Sequence, residues 1–315
     1  MPDAEAQYHV PVLLRTSVDL LVVRPDGVFV DGTLGGGGHS AAILERLNSA
    51  GRLFGCDQDV EALEHSYERL KHDERISFIH TRTIHLRHHL ALHGIGAIDG
   101  LLLDLGISSR HVDAAERGFS FQQDGPLDMR MNTREDPSAQ QLIATSSIDE
   151  LARIMFEYGE EPRARRIARA IDEARQRNAM RTTRDLAAAI ERGADARHLH
   201  KSLARVFQAF RIAVNRELEV LEQTLVEGVD LLAPGGRIVV IAYHSLEDRI
   251  VKHLFRREAS SCLCPPRTPV CICGKTARLR ILTNKPIEPD AEELLRNPRS
   301  RSARLRAAER CDNAA

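Results

Sequence analysis

Four consecutive glycines, residues 35–38, stand between a short apolar run and a segment with helical periodicity. Glycine lets backbone N–H groups approach a ligand closely, and the N-terminus of a helix favours anionic groups. Residues 36–41 (GGGHSA) also satisfy the G-x-G-x-x-A form of the dinucleotide fingerprint. These features predict a nucleotide-type binding site, and a tight structural turn is the alternative.

Two aspartates end apolar runs elsewhere in the first third of the chain. Asp57 lies 21 residues beyond Gly36, where a carboxylate can accept hydrogen bonds from the hydroxyls of a ribose. Asp104 is followed by Ser108 and Ser109, so an acid and two hydroxyls follow one strand end. Open α/β sheets bind their substrates at that edge. The pattern predicts an adenosine-type ligand and leaves NAD and S-adenosylmethionine open.

The elements that must position these groups alternate between strands and helices. Continuous apolar runs separated by helical crossovers indicate a parallel sheet that is covered on both faces. The predicted strands are residues 28–31, 53–57, 76–79 and 100–104, and the predicted helices are residues 39–47 and 60–70.

The middle of the chain is predicted to be an α-helical insert. The predicted helices are residues 148–158, 163–177 and 183–192, then a long amphipathic helix over about 203–229; strands at 237–242 and 279–282 follow. We therefore expect an α/β core formed by residues 1–112 and 212–315, with a helical domain at 113–211 between them. A redox enzyme would need a second nucleotide-binding half at that place, so the insert favours a methyltransferase over an oxidoreductase.

The composition excludes several classes of protein. The 315 residues include 44 basic and 45 acidic side chains, so a polybasic nucleic-acid binder of the histone type is excluded. The longest apolar stretches fall short of the roughly 20 residues that span a bilayer. Residues 1–14 lack the pattern of a secretory signal. We expect a cytoplasmic protein with no membrane partner.

Four of the six cysteines crowd into one short segment, at Cys262, Cys264, Cys271 and Cys273. Clustered thiols in a reducing compartment suggest tetrahedral zinc. The C-x-C spacing is tighter than the usual C-x₂₋₄-C, and a methyl transfer has no use for a metal. The sequence therefore favours a loop without zinc, and a structural zinc that staples the loop is the alternative.

Eight sequence blocks, in this order, resemble the MraW family of methyltransferases over nearly the whole chain. They are residues 31–39 (DGTLGGGGH), 102–109 (LLDLGISS), 116–121 (ERGFSF), 124–131 (DGPLDMRM), 158–160 (YGE), 165–171 (RRIARAI), 207–215 (FQAFRIAVN) and 244–249 (HSLEDR). The resemblance implies transfer of a methyl group from S-adenosylmethionine to the exocyclic N4 of a cytosine in bacterial 16S rRNA. It also implies a class I, Rossmann-like α/β methyltransferase core with an inserted α-helical domain, in the cytoplasm. The partner would be 16S rRNA or the small ribosomal subunit, and the protein a monomer or homodimer.

The resemblance also carries residue roles. The family's contacts with S-adenosylmethionine fall on matching residues at Gly37, Gly38, His39, Asp57 and Asp104. Two further cofactor positions depart from the family, because Thr83 stands where a Phe is usual and Arg110-His111 stands where Pro-Gln is usual. We expect Thr83 to offer less apolar contact to the adenine and His111 to offer a hydrogen bond.

The chemistry of the transfer needs a hydrogen-bond acceptor for the cytosine amine. The sulfonium of the cofactor is already electrophilic, whereas the lone pair of the amine is delocalised into the ring. Asp104 is the first candidate for that acceptor, and Ser108 and His244 are the second candidates for base contacts or proton removal. The alternative for His244 is a helix cap, with Glu247 and Asp248 in the first turn.

Two stretches of this near-neutral chain are locally basic. Residues 161–184 contain eight arginines against three acids, and residues 296–310 contain six arginines against Glu309 alone. We expect them to contact RNA phosphates, with a solvated face as the alternative. Arg211 and Asn215 lie one helical turn apart, and they either face the cleft or contribute to packing between the domains. Two other functions stay open, an NAD-dependent oxidoreductase and a non-catalytic RNA-binding ribosome-assembly factor.

Overall fold

The computed structural model describes residues 11–134, 136–265, 270 and 272–312. The chain divides into two compact units. The first, here called the sheet unit, comprises Met1–Gly106 and Leu218–Ala315, and the second, here called the insert, comprises Ile107–Glu217. Among the described residues, no helix combines the length and the apolar character that crossing a bilayer requires.

Strands and helices alternate along the first part of the sheet unit. In chain order they are α1 (Leu14–Leu21), β1 (Val28–Asp31), α2 (Gly38–Arg46), β2 (Arg52–Asp57), α3 (Val60–Leu70), β3 (Ile76–His80), α4 (Leu86–Leu92) and β4 (Ile98–Asp104). The helices of the insert are α5 (Ser109–Asp113), α6 (Ala139–Thr145), α7 (Ile148–Glu157), α8 (Ala164–Gln176), α9 (Thr183–Gly193) and α10 (Leu199–Asn215). The chain continues with α11 (Glu217–Leu231), β5 (Leu232–Ala242), α12 (Ser245–Ala259), β6 (Leu279–Ile281), α13 (Ala291–Arg296) and β7 (Arg304–Arg310).

One seven-stranded sheet organises the sheet unit, in the order β3-β2-β1-β4-β5-β7-β6. The first five strands of that order pair in parallel, and β7 runs antiparallel between β5 and β6. The carboxyl ends of β2, β1 and β4 carry Asp57, Asp31 and Asp104, so three acids end three adjacent strands. The predicted parallel sheet is confirmed, and β6, in the segment predicted as a strand at residues 279–282, forms one of its edges.

Both faces of the sheet are buried, which explains why its strands read as continuous apolar runs. Val30, Leu101 and Leu103 belong to the apolar core that includes α11 and α12. Phe29 and Leu102 belong to the core that includes α1 and α2. Successive residues of a strand point to opposite faces, so the two cores are supplied by alternate positions.

The insert is helical and has an apolar core of its own. Ile167 and Ile171 of α8 are fully buried together with Leu186 of α9. Side-chain oxygens of Ser138 and Thr182 cap the first turns of α6 and α9, which satisfies backbone N–H groups that a helix leaves unpaired. Among the described residues of this unit the only β pairing is an isolated bridge between Pro126 and Thr182.

The long helix predicted over residues 203–229 is wrong, because two helices, α10 and α11, occupy that stretch. Arg216 separates them in the left-handed region, with φ of 52°. Arg211 donates two hydrogen bonds of 2.8 Å to the carboxylate of Glu217, across the break. The apolar spacing continues through the break, so periodicity alone does not reveal it.

Candidate active site

The glycine loop is shaped by backbone conformation and by close packing. Gly35 and Gly37 have φ of 51° and 71°, a region that favours glycine. A Cβ on Gly38 would overlap the ring of Pro11, so this position also requires glycine. α2 begins at Gly38, and its N-terminal N–H groups therefore follow the loop directly. The loop has structural reasons for its glycines and also the form of an anion-binding turn.

Asp57 holds this loop from the neighbouring strand. One carboxylate oxygen accepts a hydrogen bond of 2.9 Å from the N–H of Gly35, and the other accepts one of 2.9 Å from the N–H of Asp59. Ser66 of α3 donates a further bond of 2.6 Å to the carbonyl of Gly35. Since a carboxylate oxygen can accept more than one hydrogen bond, these contacts leave the predicted ribose role chemically feasible.

Asp31 is a buried acid that the sequence did not single out as functional. It is 1% exposed, accepts a bond of 2.7 Å from the hydroxyl of Ser40, and accepts one of 3.2 Å from the N–H of Thr33. Burial raises the pKa of Asp31 to about 6, against the opposing influence of His39. Its position as a strand-end acid beside the glycine loop was the signal that could have identified it.

His39 lies buried directly after the four glycines. Burial lowers the pKa of His39, so the ring is neutral at pH 7. Its Nε2 lies 3.1 Å from the carbonyl oxygen of Val12, which can only accept, so Nε2 carries the proton. Its Nδ1 lies 3.6 Å from Oδ2 of Asp104, too far for a hydrogen bond. His39 and Asp104 are thus neighbours in the sheet unit.

Asp104 is held by a tyrosine that sequence reasoning missed. The hydroxyl of Tyr243 donates a hydrogen bond of 2.8 Å to Oδ1 of Asp104, and the backbone N–H of Asp104 donates one of 2.6 Å to Thr33. Burial and the adjacent Asp104 raise the pKa of Tyr243 well above its usual value, so the phenol stays a neutral donor. The Asp104 side chain keeps 17% exposure. The site therefore presents a fixed and accessible carboxylate.

His244 occupies the N-cap of α12. Its Nδ1 accepts a long hydrogen bond of 3.4 Å from the N–H of Glu247. Oε2 of Glu247 in turn accepts bonds from the N–H groups of Tyr243 and His244, at 2.8 and 3.2 Å. This capping box supports the interpretation of His244 as a helix cap. The catalytic role of His244 stays a prediction. The box also fixes the backbone at Tyr243 and thereby the phenol on Asp104.

Thr83 lies at the start of the short helical turn after β3. Its hydroxyl shares a hydrogen bond of 2.6 Å with the hydroxyl of Thr224 on α11. That bond ties two segments of the sheet unit together, which gives the Thr83 side chain a structural task. Its expected contact with an adenine stays a prediction.

Ser108 and His111 lie in the insert, where they form a capping box at the start of α5. The hydroxyl of Ser108 lies 3.1 Å from Nδ1 of His111 and accepts a bond of 3.3 Å from its backbone N–H. The buried ring of His111 packs on Phe119, with the ring centroids 4.9 Å apart. Both side chains thus stabilise a helix start, and their predicted contacts with base and cofactor stay predictions.

The arginines of the insert differ in what they contact. Arg165, Arg166 and Arg169 lie exposed on α8 and form no ion pair with a described residue. Arg163, by contrast, pairs with Asp195 at 2.8 Å, and Arg175 donates to backbone carbonyls, including that of Ser146 at 2.7 Å. Three of the eight arginines in this stretch therefore form an outward cationic face, here called the α8 face.

The basic tail is tied into the sheet unit to a large extent. Arg306 of β7 donates two hydrogen bonds to the buried carboxylate of Asp248, and Arg310 donates one of 2.9 Å to the carbonyl of Val229. These arginines hold β7 in place.

Asn215 of the insert has a structural role, since its side-chain amide forms hydrogen bonds with the backbone of Met129 and Met131.

Comparison with known proteins gives the family. The model of the MraW methylase family matches residues 6–311. A ribosomal RNA small subunit methyltransferase H from Thermomicrobium roseum is 49% identical over 313 residues, covering 98% of this chain and 96% of that protein. Another, from Carboxydothermus hydrogenoformans, is 48% identical over 305 residues, covering 96% and 97%.

A solved structure, an rRNA methylase from Streptococcus thermophilus, has 12% identity and a TM-score of 0.41, covering 95% of this chain and 94% of that one. The family match and the near-full-length relatives confirm the resemblance that the sequence blocks carry. The chain belongs to the MraW methylase family, and its fold is the predicted class I, Rossmann-like methyltransferase core with an inserted helical domain.

Proposed function

We propose that this protein transfers a methyl group from S-adenosylmethionine to the exocyclic N4 of a cytosine in 16S rRNA of the small ribosomal subunit, in the cytoplasm. Membership of a methylase family over residues 6–311 supports the reaction type, and the names of the relatives support rRNA as the substrate. The observation that carries the chemistry is the accessible Asp104 carboxylate, which Tyr243 fixes at the end of β4.

The sheet unit offers suitable groups for S-adenosylmethionine. The N-terminus of α2 at Gly38 suits the carboxylate of the methionine part, and Asp57 suits the ribose hydroxyls. When bound, the cofactor supplies an electrophilic methyl group on its sulfonium sulfur. Asp57 already holds the glycine loop through Gly35, so the same side chain would shape the loop and bind the ribose.

Asp104 would act on the cytosine amine. Its carboxylate would accept a hydrogen bond from an N4–H, hold the nitrogen in line, and favour the tetrahedral geometry that the amine adopts as it attacks. Tyr243 holds Oδ1 from inside the sheet unit, so the carboxylate cannot rotate freely. After transfer the nitrogen carries an extra proton, and Asp104 is the group in position to receive it.

The α8 face would bind the RNA backbone. Arg165, Arg166 and Arg169 are exposed cations one helical turn apart or less, a spacing that suits phosphates. A cytosine inside a duplex or stack must be turned out before its amine can reach a buried methyl donor. Phosphate contacts that hold the surrounding strand would contribute to that step.

The two other functions fit less well. The common dinucleotide-binding fold has six parallel strands, whereas β7 here runs antiparallel between β5 and β6. Family membership favours a methylase over an oxidoreductase. A non-catalytic factor would have no need of a phenol that fixes the Asp104 carboxylate. Calorimetric titration of the purified protein with S-adenosylmethionine and with NAD separates the first two, and only S-adenosylmethionine should bind.

The decisive experiment supplies tritiated S-adenosylmethionine with 16S rRNA or small subunits from a strain that lacks this gene. Digestion to nucleosides and mass spectrometry should show N4-methylcytidine in the treated rRNA and none in the untreated rRNA. Label on another atom or another base would overturn the N4 assignment. No label on either substrate, from protein that binds S-adenosylmethionine, would favour the non-catalytic factor.

The RNA role of the α8 face has a separate test. Replacing Arg165, Arg166 and Arg169 together by Gln should weaken RNA binding about 10-fold or more and make its salt dependence shallower, with cofactor affinity unchanged. The matched control replaces Arg24, Arg46 and Arg52 by Gln, three exposed arginines of the sheet unit. Equal losses of RNA affinity in the two triple variants would refute a specific role of the α8 face in RNA binding.

A further inference from the structure

A cysteine loop connects α12 to β6 at one end of the sheet unit. Its three described cysteines are Cys262, Cys264 and Cys273, and their sulfur atoms all lie within 4.8 Å of one another. Cys262 and Cys273 are exposed, and Cys264 is partly exposed. The fourth cysteine of this segment, Cys271, lies outside the described residues. Methyl transfer at Asp104 makes no use of these thiols.

The sulfur positions suit a tetrahedral metal ion. The sulfurs of Cys262 and Cys273 are 3.9 Å apart. Two thiolates bound to one tetrahedral zinc, each with a Zn–S distance near 2.3 Å, lie about 3.8 Å apart. The three thiols lie within 4.8 Å of one another although eight residues separate Cys264 from Cys273. Thiolate sulfur is a soft ligand that selects zinc over magnesium or calcium.

Backbone groups of the loop already point at the sulfurs. The N–H of Leu263 donates to the sulfur of Cys273 at 3.4 Å, and the N–H of Cys264 donates to the sulfur of Cys262 at 3.4 Å. Such bonds orient a ligand sulfur. The loop thus combines ligand sulfurs with the outer hydrogen bonds that metal sites use.

The described part of the loop has little apolar burial to stabilise it. Leu263, Val270 and Ile272 are 56%, 71% and 86% exposed, although they are the large apolar side chains of this segment. At its base, the N–H of Arg278 donates a bond of 2.7 Å to the carbonyl of Glu258, which fixes where the loop returns. A segment that buries so little gains stability from a metal, because the free energy of binding becomes free energy of folding.

We propose that Cys262, Cys264 and Cys273 bind a structural zinc ion that holds the loop between α12 and β6. The ion makes no contact with the methyl-transfer chemistry in this assignment. The sequence favoured a loop without zinc because the C-x-C spacing is tight. The structure nevertheless brings the sulfurs of the three described cysteines within 4.8 Å of one another.

The test measures metal directly on the full-length protein, purified under reducing conditions with zinc in the growth medium. Mass-spectrometric metal analysis should find about one zinc per chain in the wild type. The double variant Cys262→Ser/Cys273→Ser should lose it. The matched control is Cys311→Ser, the same chemical change at a cysteine outside the cluster, and it should keep the zinc.

A second measurement needs no variant. Cobalt added to chelator-stripped wild-type protein should give intense thiolate-to-metal absorption with tetrahedral ligand-field bands, and zinc should displace it. Removal of the metal should also speed tryptic cleavage in the segment between Cys264 and Lys275, with S-adenosylmethionine affinity unchanged. Zinc that is absent from the wild type, retained by the double variant, or unable to displace cobalt would overturn the proposal.

Discussion

Asp57 and Asp104 look alike in the sequence, since each ends an apolar strand, yet their side chains have different surroundings. Asp57 bonds two backbone N–H groups, those of Gly35 and Asp59, and so shapes the glycine loop. Asp104 is bonded instead by the side chain of Tyr243 and keeps part of its surface exposed. The first arrangement suits an acid that organises a binding loop, and the second suits an acid that meets a substrate.

The largest expected effect tests the Asp104 side of this comparison. Asp104→Asn keeps the size and one acceptor oxygen but removes the charge, so the single-turnover rate of methyl transfer should fall by about 10²-fold or more. The dissociation constant for S-adenosylmethionine, measured by calorimetry, should change far less. A loss of affinity with an unchanged rate at saturating cofactor would instead make Asp104 a cofactor ligand like Asp57.

Asp57→Ala should have the reverse signature. Each charge-assisted hydrogen bond to a ribose hydroxyl contributes about 1.5–3 kcal/mol, so affinity for S-adenosylmethionine should fall about 10- to 100-fold. The variant also removes the acceptor for Gly35, so the midpoint of thermal unfolding should drop as well. Asp57→Asn is the control, because it retains one acceptor oxygen for the loop. An unchanged dissociation constant in Asp57→Ala contradicts the assignment.

A smaller effect is expected for Tyr243→Phe, which keeps the ring and deletes only the hydroxyl that fixes Asp104. A hydrogen bond from a neutral donor to a charged acceptor contributes about 1.5 kcal/mol or more. Its loss should therefore lower the methyl-transfer rate by roughly 10-fold. The effect should disappear in the Asp104→Asn background if Tyr243 acts through Asp104. If the rate losses of the two single variants instead multiply in the double variant, Tyr243 has a role that is separate from Asp104.

Asp31, on the strand between the two, should affect stability more than activity. Its pKa is about 6 in the folded protein, above its ordinary value of 3.8. Below pH 4 both folded and unfolded states hold the proton. As the pH rises from about 4 to about 6 only the unfolded state ionises, so folding loses up to about 3 kcal/mol. Asp31→Asn cannot ionise and should gain stability relative to the wild type from pH 4 to pH 7.

Denaturant unfolding at pH 4, 5, 6 and 7 measures this difference, with Glu64→Gln as a surface control. A difference between Asp31→Asn and wild type that stays constant across this range would show that Asp31 has an ordinary pKa.

The sheet could be predicted from sequence because strands buried on both faces leave continuous apolar runs. The run that ends at Asp57 and the run that ends at Asp104 identified their acids by position alone. Tyr243 could not be found in this way, because its partnership depends on the register that pairs Asp104 with Ile241. That register joins two strands on either side of the insert, and no local pattern specifies it.

Two other features could not be predicted from the sequence, for different physical reasons. The break at Arg216 lies inside an unbroken apolar stripe, and only a left-handed backbone and the bond from Arg211 to Glu217 reveal it. β5 also begins earlier than predicted, at Leu232, and its pairing with β4 is irregular between Ile98 and Gly100. Tertiary pairing extends a strand there through residues whose local preference is a turn.

The pairing of β4 with β5 also has a consequence for synthesis on the ribosome. In the chain 127 residues separate Asp104 from Leu232, so at about 5–20 residues per second β5 emerges roughly 6–25 s after β4. Throughout that interval β4 has one unpaired edge with Leu101 and Leu103 on its face, the kind of edge that recruits other chains. The insert has its own core and can fold meanwhile. The length of the insert therefore sets how long the nascent sheet must stay protected from aggregation.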